Sequence, residues 1–240
     1  MTNLKHWTRW FKKKTPGKKL SPKTGKTETG YTYDMSDLHG CFDELNAMLA
    51  KIGFSDQDKL ILAGDYIDRG SQNYEMLCWM EQVPQNILLL RGNQEEEFLC
   101  YLELLLAVQE KLVMDESSSK DLEHLYQETK NLIEQHNRQT EQIRVFDHYG
   151  TLEELITEQC ISMADLRRWA ARMEAMPYFC RFSLPERECV VVHAGYLEQF
   201  PTAGLTGKYT CVEDFYLRAR EDAYLAGGIE NGMIVAGHTP

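Results

Sequence analysis

Short hydrophobic runs that end at polar residues and glycine recur along the chain. The four clearest runs span residues 60–63, 87–90, 190–192 and 233–236. A fifth, weaker run spans residues 31–35 and also ends at a polar cluster. Short apolar runs bounded by glycine are typical of buried β-strands. The pattern therefore predicts five strands whose carboxyl ends carry polar side chains.

Strands alternate with helices in the first part of the chain, up to Asn93. Apolar residues at helical spacing predict a helix that has Leu45 on its apolar face and ends at Gly53, and a second helix that includes Met76 and Met80. Such βαβαβ alternation requires right-handed crossovers and a largely parallel sheet. The polar clusters at the strand ends should therefore meet at one edge of the sheet.

The pattern from about residue 96 to residue 176 is helical, and we predict a helical insertion there. Two amphipathic stretches separated by a serine-rich break predict a helical hairpin. Thr151, with Glu154 three residues later, resembles a capping box at the start of a third helix, and residues 164–176 predict a fourth. The insertion is either a cap beside the site or a scaffold with a charged outer face.

Runs of strand length return after Pro177. They cover residues 179–182 and 189–192, and a helix from residue 212 to about residue 226 separates them from the last strand at 233–236. Two sheet-forming halves on either side of a helical block predict an α/β fold. In this fold two sheets pack together and the helices lie outside.

Length and charge indicate one domain and a basic arm. The 240 residues suit one sizeable α/β domain. The net charge is -11, but the first 30 residues carry +8, so the other 210 residues carry -19. We predict a basic, flexible arm over residues 1–30 and one domain over residues 31–240. The arm is either a solvated segment or a docking element whose partner is unknown, and the acidic body argues against nucleic-acid binding.

Cysteine usage and hydropathy indicate the compartment. The seven cysteines form no Cys-x-x-Cys pair, and an odd number cannot all pair within the chain. No stretch approaches the ~18 consecutive apolar residues of a membrane-spanning helix, and the N-terminus lacks an apolar signal core. We therefore predict a cytoplasmic protein without a transmembrane segment.

The predicted strand ends carry six candidate metal ligands. They are Asp37, His39, Asp65, Asn93, His193 and His238. Two carboxylates, three imidazoles and an amide suit a pair of divalent metal ions better than one ion. We expect Mn, with Fe or Zn as alternatives that the same ligands accept. The other histidines near the insertion, His124, His136 and His148, are expected to be surface or packing residues.

Five motifs carry a family resemblance. In chain order they are Asp-Leu-His-Gly at 37–40, Gly-Asp-Tyr-Ile-Asp-Arg-Gly at 64–70, Gly-Asn-Gln-Glu at 92–95, His-Ala-Gly at 193–195 and Gly-His-Thr at 237–239. Their order and kind resemble the phosphoprotein phosphatase family, the serine/threonine phosphatases within the calcineurin-like metallophosphoesterases. The resemblance covers residues 31–240. It implies a metallophosphoesterase sandwich of two mixed β-sheets flanked by helices.

The resemblance also implies how two metal ions share the ligands. The first ion would be held by Asp37, His39 and Asp65, and the second by Asp65, Asn93, His193 and His238. A hydroxide that bridges the two ions would attack phosphorus in line, without a phosphoenzyme. The chain ends two residues after His238, which makes this ligand the least secure expectation of the six.

The resemblance assigns the remaining roles to substrate binding and proton transfer. Arg69, Arg220 and Asn93 would bind the substrate phosphate. Asp68 would orient the general acid, which is a histidine in the family, but this chain has Gln94 at that position. Glutamine cannot deliver a proton near neutral pH, and losing a general acid costs about 10²- to 10⁴-fold in rate. Gln94 is not a predicted metal ligand.

Three interpretations of Gln94 stay open. The chain is a phosphatase that is slowed or uses another acid, an enzyme silenced by a deliberate substitution, or a noncatalytic pseudophosphatase that binds phosphoproteins. We predict a metal-dependent phosphomonoester hydrolase of the serine/threonine protein phosphatase type. The enzymatic alternative is a hydrolase of dinucleoside polyphosphates or other small phosphate esters, since one metal centre serves many substrates.

Overall fold

A computed structural model describes residues 30–112, 119–139, 150–199, 208–225 and 228–239. All of the predicted basic arm except Gly30 lies outside these residues, so the arm stays a prediction. The seven cysteines are free thiols. Among the described residues, no helix combines the length and the apolar character that crossing a bilayer requires.

The first sheet is built by a βαβαβ unit. Its elements are β1 (Thr32–Met35), α1 (Phe42–Ile52), β2 (Lys59–Leu62), α2 (Asn73–Met80) and β3 (Ile87–Leu89). The strand order is β1-β2-β3 and both pairings are parallel. Gly53 ends α1 with a left-handed φ of 63°, as its position after the apolar stretch predicts. The predicted βαβαβ unit is therefore confirmed.

Four helices form the insertion. They are α3 (Asn93–Leu112), α4 (Ser119–Gln139), α5 (Thr151–Thr157) and α6 (Met163–Glu174). The helices α3 and α4 pack together as the predicted hairpin, with the rings of Tyr101 and Tyr126 6.2 Å apart. The helical block begins at Asn93 rather than at residue 96, because α3 starts inside the polar cluster that follows β3.

The predicted capping box at Thr151 is wrong. Gly150, with φ 70°, occupies the N-cap of α5, and Thr151 is already the first helical residue. The insertion's capping box lies one helix later, where the Ser162 hydroxyl accepts from the Asp165 N–H at 3.3 Å and Asp165 accepts from the Ser162 N–H at 2.7 Å. The side chain of Thr151 is therefore available to contact another part of the protein.

The second sheet forms after the insertion. Its elements, with two short helices, are β4 (Phe179–Leu184), β5 (Arg187–Val192), α7 (Val212–Arg218), α8 (Glu221–Leu225) and β6 (Gly232–Ala236). The order is β4-β5-β6, with β4 antiparallel and β6 parallel to β5.

The single helix predicted from residue 212 to about residue 226 is wrong, because the chain leaves the helical conformation after α7. Ala219 is extended, with φ -64° and ψ 140°, and only 2% exposed. A Cβ added to Gly195 would lie 2.7 Å from the Cβ of Ala219, so the two backbones approach closely. This packing turns the chain between α7 and α8.

Both faces of the central strands are buried, which explains their continuous apolar runs. Leu60 and Leu62 face a core formed with the helices, whereas Ile61 and Ala63 face a core between the sheets. Val191 belongs to that second core, and its neighbours on β5 pack in a third core against α7. Two sheets with helices outside confirm the predicted α/β sandwich.

Candidate metal centre

The six predicted ligands lie together where the strands end. Asp37 and His39 follow β1, Asp65 follows β2, Asn93 begins α3 after β3, His193 follows β5 and His238 follows β6. Backbone hydrogen bonds join the strand-end loops, from the Asp37 N–H to the Gly64 carbonyl at 3.1 Å and from the Gly237 N–H to the His193 carbonyl at 2.8 Å. The sheet edge therefore brings together residues that are up to 201 positions apart.

Asp65 belongs to two groups of potential ligands. The groups are Asp37, His39 and Asp65, and Asp65, His193 and His238. In the first group the His39 Nε2 lies 3.9 Å from Asp37 Oδ1 and 3.7 Å from Asp65 Oδ2. In the second group the His193 Nε2 lies 3.4 Å from Asp65 Oδ1 and 3.0 Å from Asn93 Oδ1. Two oxygens of one carboxylate thus face two separate groups.

Backbone carbonyls orient two of the imidazoles. His39 Nδ1 lies 3.0 Å from the Ile67 carbonyl and His193 Nδ1 lies 2.8 Å from the Ala63 carbonyl, so each Nδ1–H donates to a carbonyl. Each Nε2 then directs a lone pair at the centre. Nε2 of His39 is buried and has no hydrogen-bond partner within the described part of the chain, and Nε2 of His193 faces the Asn93 Oδ1, another acceptor. Opposed lone pairs repel unless a cation lies between them.

The donor set fits divalent metal ions. Atoms that share an ion at about 2.0–2.2 Å lie about 3–4 Å from one another, as these atoms do. Two contacts hold His238: its ring Nδ1 lies 3.1 Å from His193 Nε2, and its backbone N–H donates to Asp37 Oδ2 at 2.9 Å. The structure therefore holds His238 within the group despite its position near the end of the sequence.

Burial sets the protonation of the ligands. It lowers the pKa of His193 and of His238 to about 4 and also lowers the pKa of His39. The imidazoles are therefore neutral at neutral pH, as metal binding requires. Burial raises the pKa of Asp65 to about 7. Burial also opposes ionisation of Asp37, but hydrogen bonds from a neighbouring hydroxyl and from the His238 N–H lower its pKa.

Backbone strain is concentrated at the site. Of the eight non-glycine residues with positive φ in the described ranges, six are predicted site residues. These six are Asp37, His39, Asp65, Asp68, Arg69 and His238. Left-handed backbone is sparsely populated by such residues, and it persists where the surrounding structure enforces it.

The buried carboxylate of Glu95 holds the loop that contains Asp65. Glu95 is fully buried, and its carboxylate accepts from the backbone N–H groups of Asp65 at 2.9 Å, Tyr66 at 2.8 Å and Gly92 at 2.8 Å. A Cβ on Gly92 would lie 2.3 Å from the Asp65 nitrogen, so only glycine allows this approach. Glu95 lies in the Gly-Asn-Gln-Glu motif at 92–95, but the sequence alone indicated no role for it.

The two predicted phosphate-binding arginines are exposed and influence different histidines of the ligand groups. Arg69 is exposed, and its charge lowers the pKa of His39 and favours ionised Asp65. Arg220 is exposed between α7 and α8, and its charge lowers the pKa of His238. Arg69 therefore acts on His39 and on the shared Asp65, whereas Arg220 acts on His238 of the second group.

A third arginine near the centre was not assigned a role from the sequence. Arg218 lies 3.0 Å from Asp214 and 3.5 Å from Glu97, and its charge also lowers the pKa of His193 and of His238. Arg218 and Arg220 are only two positions apart in the segment Leu-Arg-Ala-Arg-Glu at 217–221, which gave no sequence reason to assign a role to both. In the structure, Arg218 is the last residue of α7, whereas Arg220 follows the end of the helix.

Gln94 and Asp68 have separate surroundings. Gln94 is 3% exposed, its backbone N–H donates to Asp65 Oδ1 at 3.0 Å, and its side-chain Oε1 is buried without a partner among the described residues. Asp68 is 6% exposed, and its carboxylate accepts from the Thr151 hydroxyl. Thr151 was not predicted at the site, and its separation of 83 residues from Asp68 left no sequence signal.

Comparisons with known proteins agree with this geometry at the level of the family. The sequence profile of the calcineurin-like phosphoesterases matches residues 35–239. Proteins named symmetrical bis(5'-nucleosyl)-tetraphosphatase are similar over a short segment: the one from Hamiltonella defensa is 42% identical over 62 residues, and the one from Haemophilus influenzae is 40% identical over 63 residues. These segments are 25% and 26% of this chain, and 22% and 23% of the relatives.

Among solved structures, a serine/threonine phosphatase from Saccharomyces cerevisiae aligns with a TM-score of 0.40 and 19% identity. That alignment covers 81% of this chain and 47% of the yeast chain. The profile match spans most of the sequence, including all five motifs. The chain therefore belongs to the calcineurin-like phosphoesterase family.

Proposed function

We propose that the chain is a metal-dependent hydrolase of phosphate monoesters, of the serine/threonine protein phosphatase type. The observation that carries this proposal is the pair of ligand groups that share Asp65, each with imidazole nitrogens directed inward. A shared carboxylate between two groups is the arrangement that two-metal hydrolases use. Asp37 and His39 would hold one ion, and His193 and His238 the other, with Asn93 beside them.

The side chains around the centre support phosphate binding. Arg69 and Arg220 place positive charge next to the ligand groups in an otherwise acidic chain, and a guanidinium can bind phosphate oxygens through two hydrogen bonds. Asp37 and Asp65 supply the negative charge that retains cations. Bound divalent ions would supply Lewis acidity for activating water and for neutralising phosphoryl oxygens.

A second candidate function is hydrolysis of dinucleoside polyphosphates or other small phosphate esters. The names of the curated relatives favour it, and so does Gln94, which has no proton to give to a departing oxygen. A nucleotide leaves as a stabilised phosphate anion and needs little protonation, whereas a serine alkoxide needs a proton. A noncatalytic phosphoprotein-binding role is the third outcome to test.

One assay separates these functions. Purified protein supplemented with Mn²⁺ is given an aryl phosphate, a phosphoserine peptide and a diadenosine polyphosphate, and its metal content is measured alongside. We expect turnover that Asp65→Asn abolishes together with metal binding, and relative rates that identify the substrate class. Metal-loaded protein that hydrolyses none of the three contradicts the enzymatic proposal and supports the binding role.

The resident metal and the compartment are part of the proposal. Nitrogen and oxygen ligands accept Mn, Fe and Zn, and we propose Mn as the physiological ion. Elemental analysis of protein purified without added metal tests this choice. The free cysteines support a reducing compartment, and we propose the cytoplasm.

A further inference from the structure

The turn that carries Arg69 adopts a strained backbone. Asp68 and Arg69 are consecutive non-glycine residues with φ 69° and 74°. Left-handed backbone at two successive side-chain-bearing residues persists only where neighbouring groups enforce it. The groups that hold this turn therefore determine where the Arg69 guanidinium lies relative to the ligand groups.

Side chains from two helices hold the turn. The Asp68 N–H donates to Asn73 Oδ1 at 3.0 Å, and Asn73 Nδ2 donates both to the Gly70 carbonyl and to Glu154 Oε2 at 2.9 Å. The Thr151 hydroxyl donates to the Asp68 carboxylate. Asn73 begins α2, which follows the turn directly, but Thr151 and Glu154 come from α5 in the insertion.

Helix α5 presents both contacts from its first turn. Thr151 is 3% exposed, and neither Thr151 nor Glu154 forms the capping box that their spacing resembles. Other residues of α5 fix the helix in place: Leu155 is fully buried in the core, and Glu153 pairs with Lys130 of α4 at 2.9 Å. A fixed helix can hold a strained turn in one position.

We propose that Thr151 is a positioning residue for phosphate binding, supported by Glu154: α5 holds the Asp68–Arg69 turn so that Arg69 faces the substrate phosphate. The inference rests on the proposed function, because it assigns Arg69 to the substrate. Thr151 is not one of the candidate metal ligands. It acts through the carboxylate of Asp68, and the helical insertion thereby becomes part of the site.

The test compares hydroxyl removal with hydroxyl retention. Thr151→Val removes the donor at nearly constant volume, Thr151→Ser keeps it, and Thr157→Val is the matched control, since the Thr157 hydroxyl donates to the Glu153 carbonyl on the exposed side of the same helix. The readouts are the Kd of inorganic phosphate for Mn²⁺-loaded protein, kcat and KM with an aryl phosphate, Mn²⁺ content, and amide hydrogen exchange of metal-free protein at residues 66–70.

We expect Thr151→Val to raise the Kd of phosphate and KM about tenfold, as misplacement of a binding group does. Metal content should stay as in the wild type, and the Asp68 amide should exchange faster. Thr151→Ser should keep the phosphate Kd, the KM and the exchange rate of the Asp68 amide close to the wild-type values. Thr157→Val should change none of them. If Thr151→Val does not fold, Glu154→Ala is measured against Glu158→Ala, which changes an exposed carboxylate of the same helix region.

An unchanged phosphate Kd in Thr151→Val overturns the inference, and so does equal weakening of phosphate binding by Thr151→Val and Thr151→Ser. Loss of Mn²⁺ in parallel with phosphate affinity also overturns it, since the role is then structural. The proposed function fails separately, if wild-type protein turns over no ester. Thr151-dependent phosphate binding by an inactive wild type would leave the inference standing.

Discussion

Gln94 separates proton transfer from metal binding at the scale of a single residue. Its backbone N–H helps to hold Asp65, while its side-chain oxygen lies buried without a partner among the described residues. Since Gln94 is not among the predicted ligands, we expect that exchanging its side chain alters the departure of the leaving group and leaves the ligand groups unchanged. The effect of exchanging Gln94 on turnover should therefore differ between substrates with good and poor leaving groups.

We predict that Gln94→His raises turnover of a phosphoserine peptide by about 10²-fold or more, because an imidazole can protonate the departing alkoxide. Turnover of an aryl phosphate should rise far less, since its leaving group needs little protonation. Steady-state kinetics on both substrates measure the difference, with Gln94→Asn as the control. Equal gains on the two substrates would contradict the general-acid account.

Asp65 should make metal affinity depend on pH. Burial raises its pKa to about 7, so the metal-free carboxyl is protonated below that pH and a metal must displace the proton. His193 and His238, with pKa values lowered to about 4, have no proton to release near neutrality. Affinity for Mn²⁺ should therefore rise with pH up to about 7 and then level off.

Calorimetric titration with Mn²⁺ in two buffers of different ionisation enthalpy measures the protons released. We expect more release at about pH 6 than at about pH 8. Asp65→Asn should remove this difference along with most of the affinity. Identical proton release at the two pH values would show that Asp65 is ionised before metal binds.

At the scale of elements, a buried arginine joins the end of β3 to the insertion. Arg91 is 8% exposed, pairs with Glu96 at 3.1 Å, and donates to the carbonyls of Met173 and Glu174 at the end of α6 at 3.1 Å and 2.6 Å. Guanidinium groups stabilise helix C-termini in this way. The same side chain thus fixes α6 beside the start of α3, where Asn93 lies.

We predict that Arg91→Met lowers the free energy of unfolding by about 3–5 kcal/mol, because it leaves a buried carboxylate without its cation. Urea denaturation measures the change. Arg168→Met is the control. Arg168 pairs with the carboxylates of Glu81 and Asp165, but its side chain is 56% exposed, so the cost should stay below about 1 kcal/mol. Similar losses in both variants would refute the role of burial.

At the scale of the whole molecule, metal ions would connect the two sheets. The first sheet positions Asp37, His39 and Asp65, whereas His193 and His238 follow strands of the second sheet. Few apolar side chains form the core between the sheets, compared with the core under the helices. Ligation across the interface should therefore stabilise the folded protein measurably.

We predict that Mn²⁺ at 100 times its Kd adds about 2.7 kcal/mol to the free energy of unfolding, as expected for a ligand that binds only the folded state. Thermal unfolding across a Mn²⁺ series measures the shift. His238→Ala should reduce it strongly, and His124→Ala, which removes an exposed histidine, should not. An undiminished shift in His238→Ala would exclude His238 from the ligands.

Local pattern allowed much of the fold to be predicted, with errors where distant packing intervenes. The glycine after α1 and the alternation of strands with helices depend on near neighbours, and both predictions are confirmed. The break at Ala219 depends on the approach of Gly195, and the contact of Thr151 depends on Asp68. Local residue spacing carries no information about Gly195 or Asp68, because both are distant in the sequence. The helix after residue 212 and the capping box were therefore predicted wrongly.

The sequence by itself determined which residues stand at the strand ends, because strand length, glycine positions and motif order are properties of short segments. It thereby indicated the α/β fold and the candidate ligands. Only the tertiary structure decided that the carbonyls of Ala63 and Ile67 turn imidazole lone pairs inward, and that α5 reaches the Asp68 turn. These features depend on atoms a few ångströms apart in space and far apart along the chain.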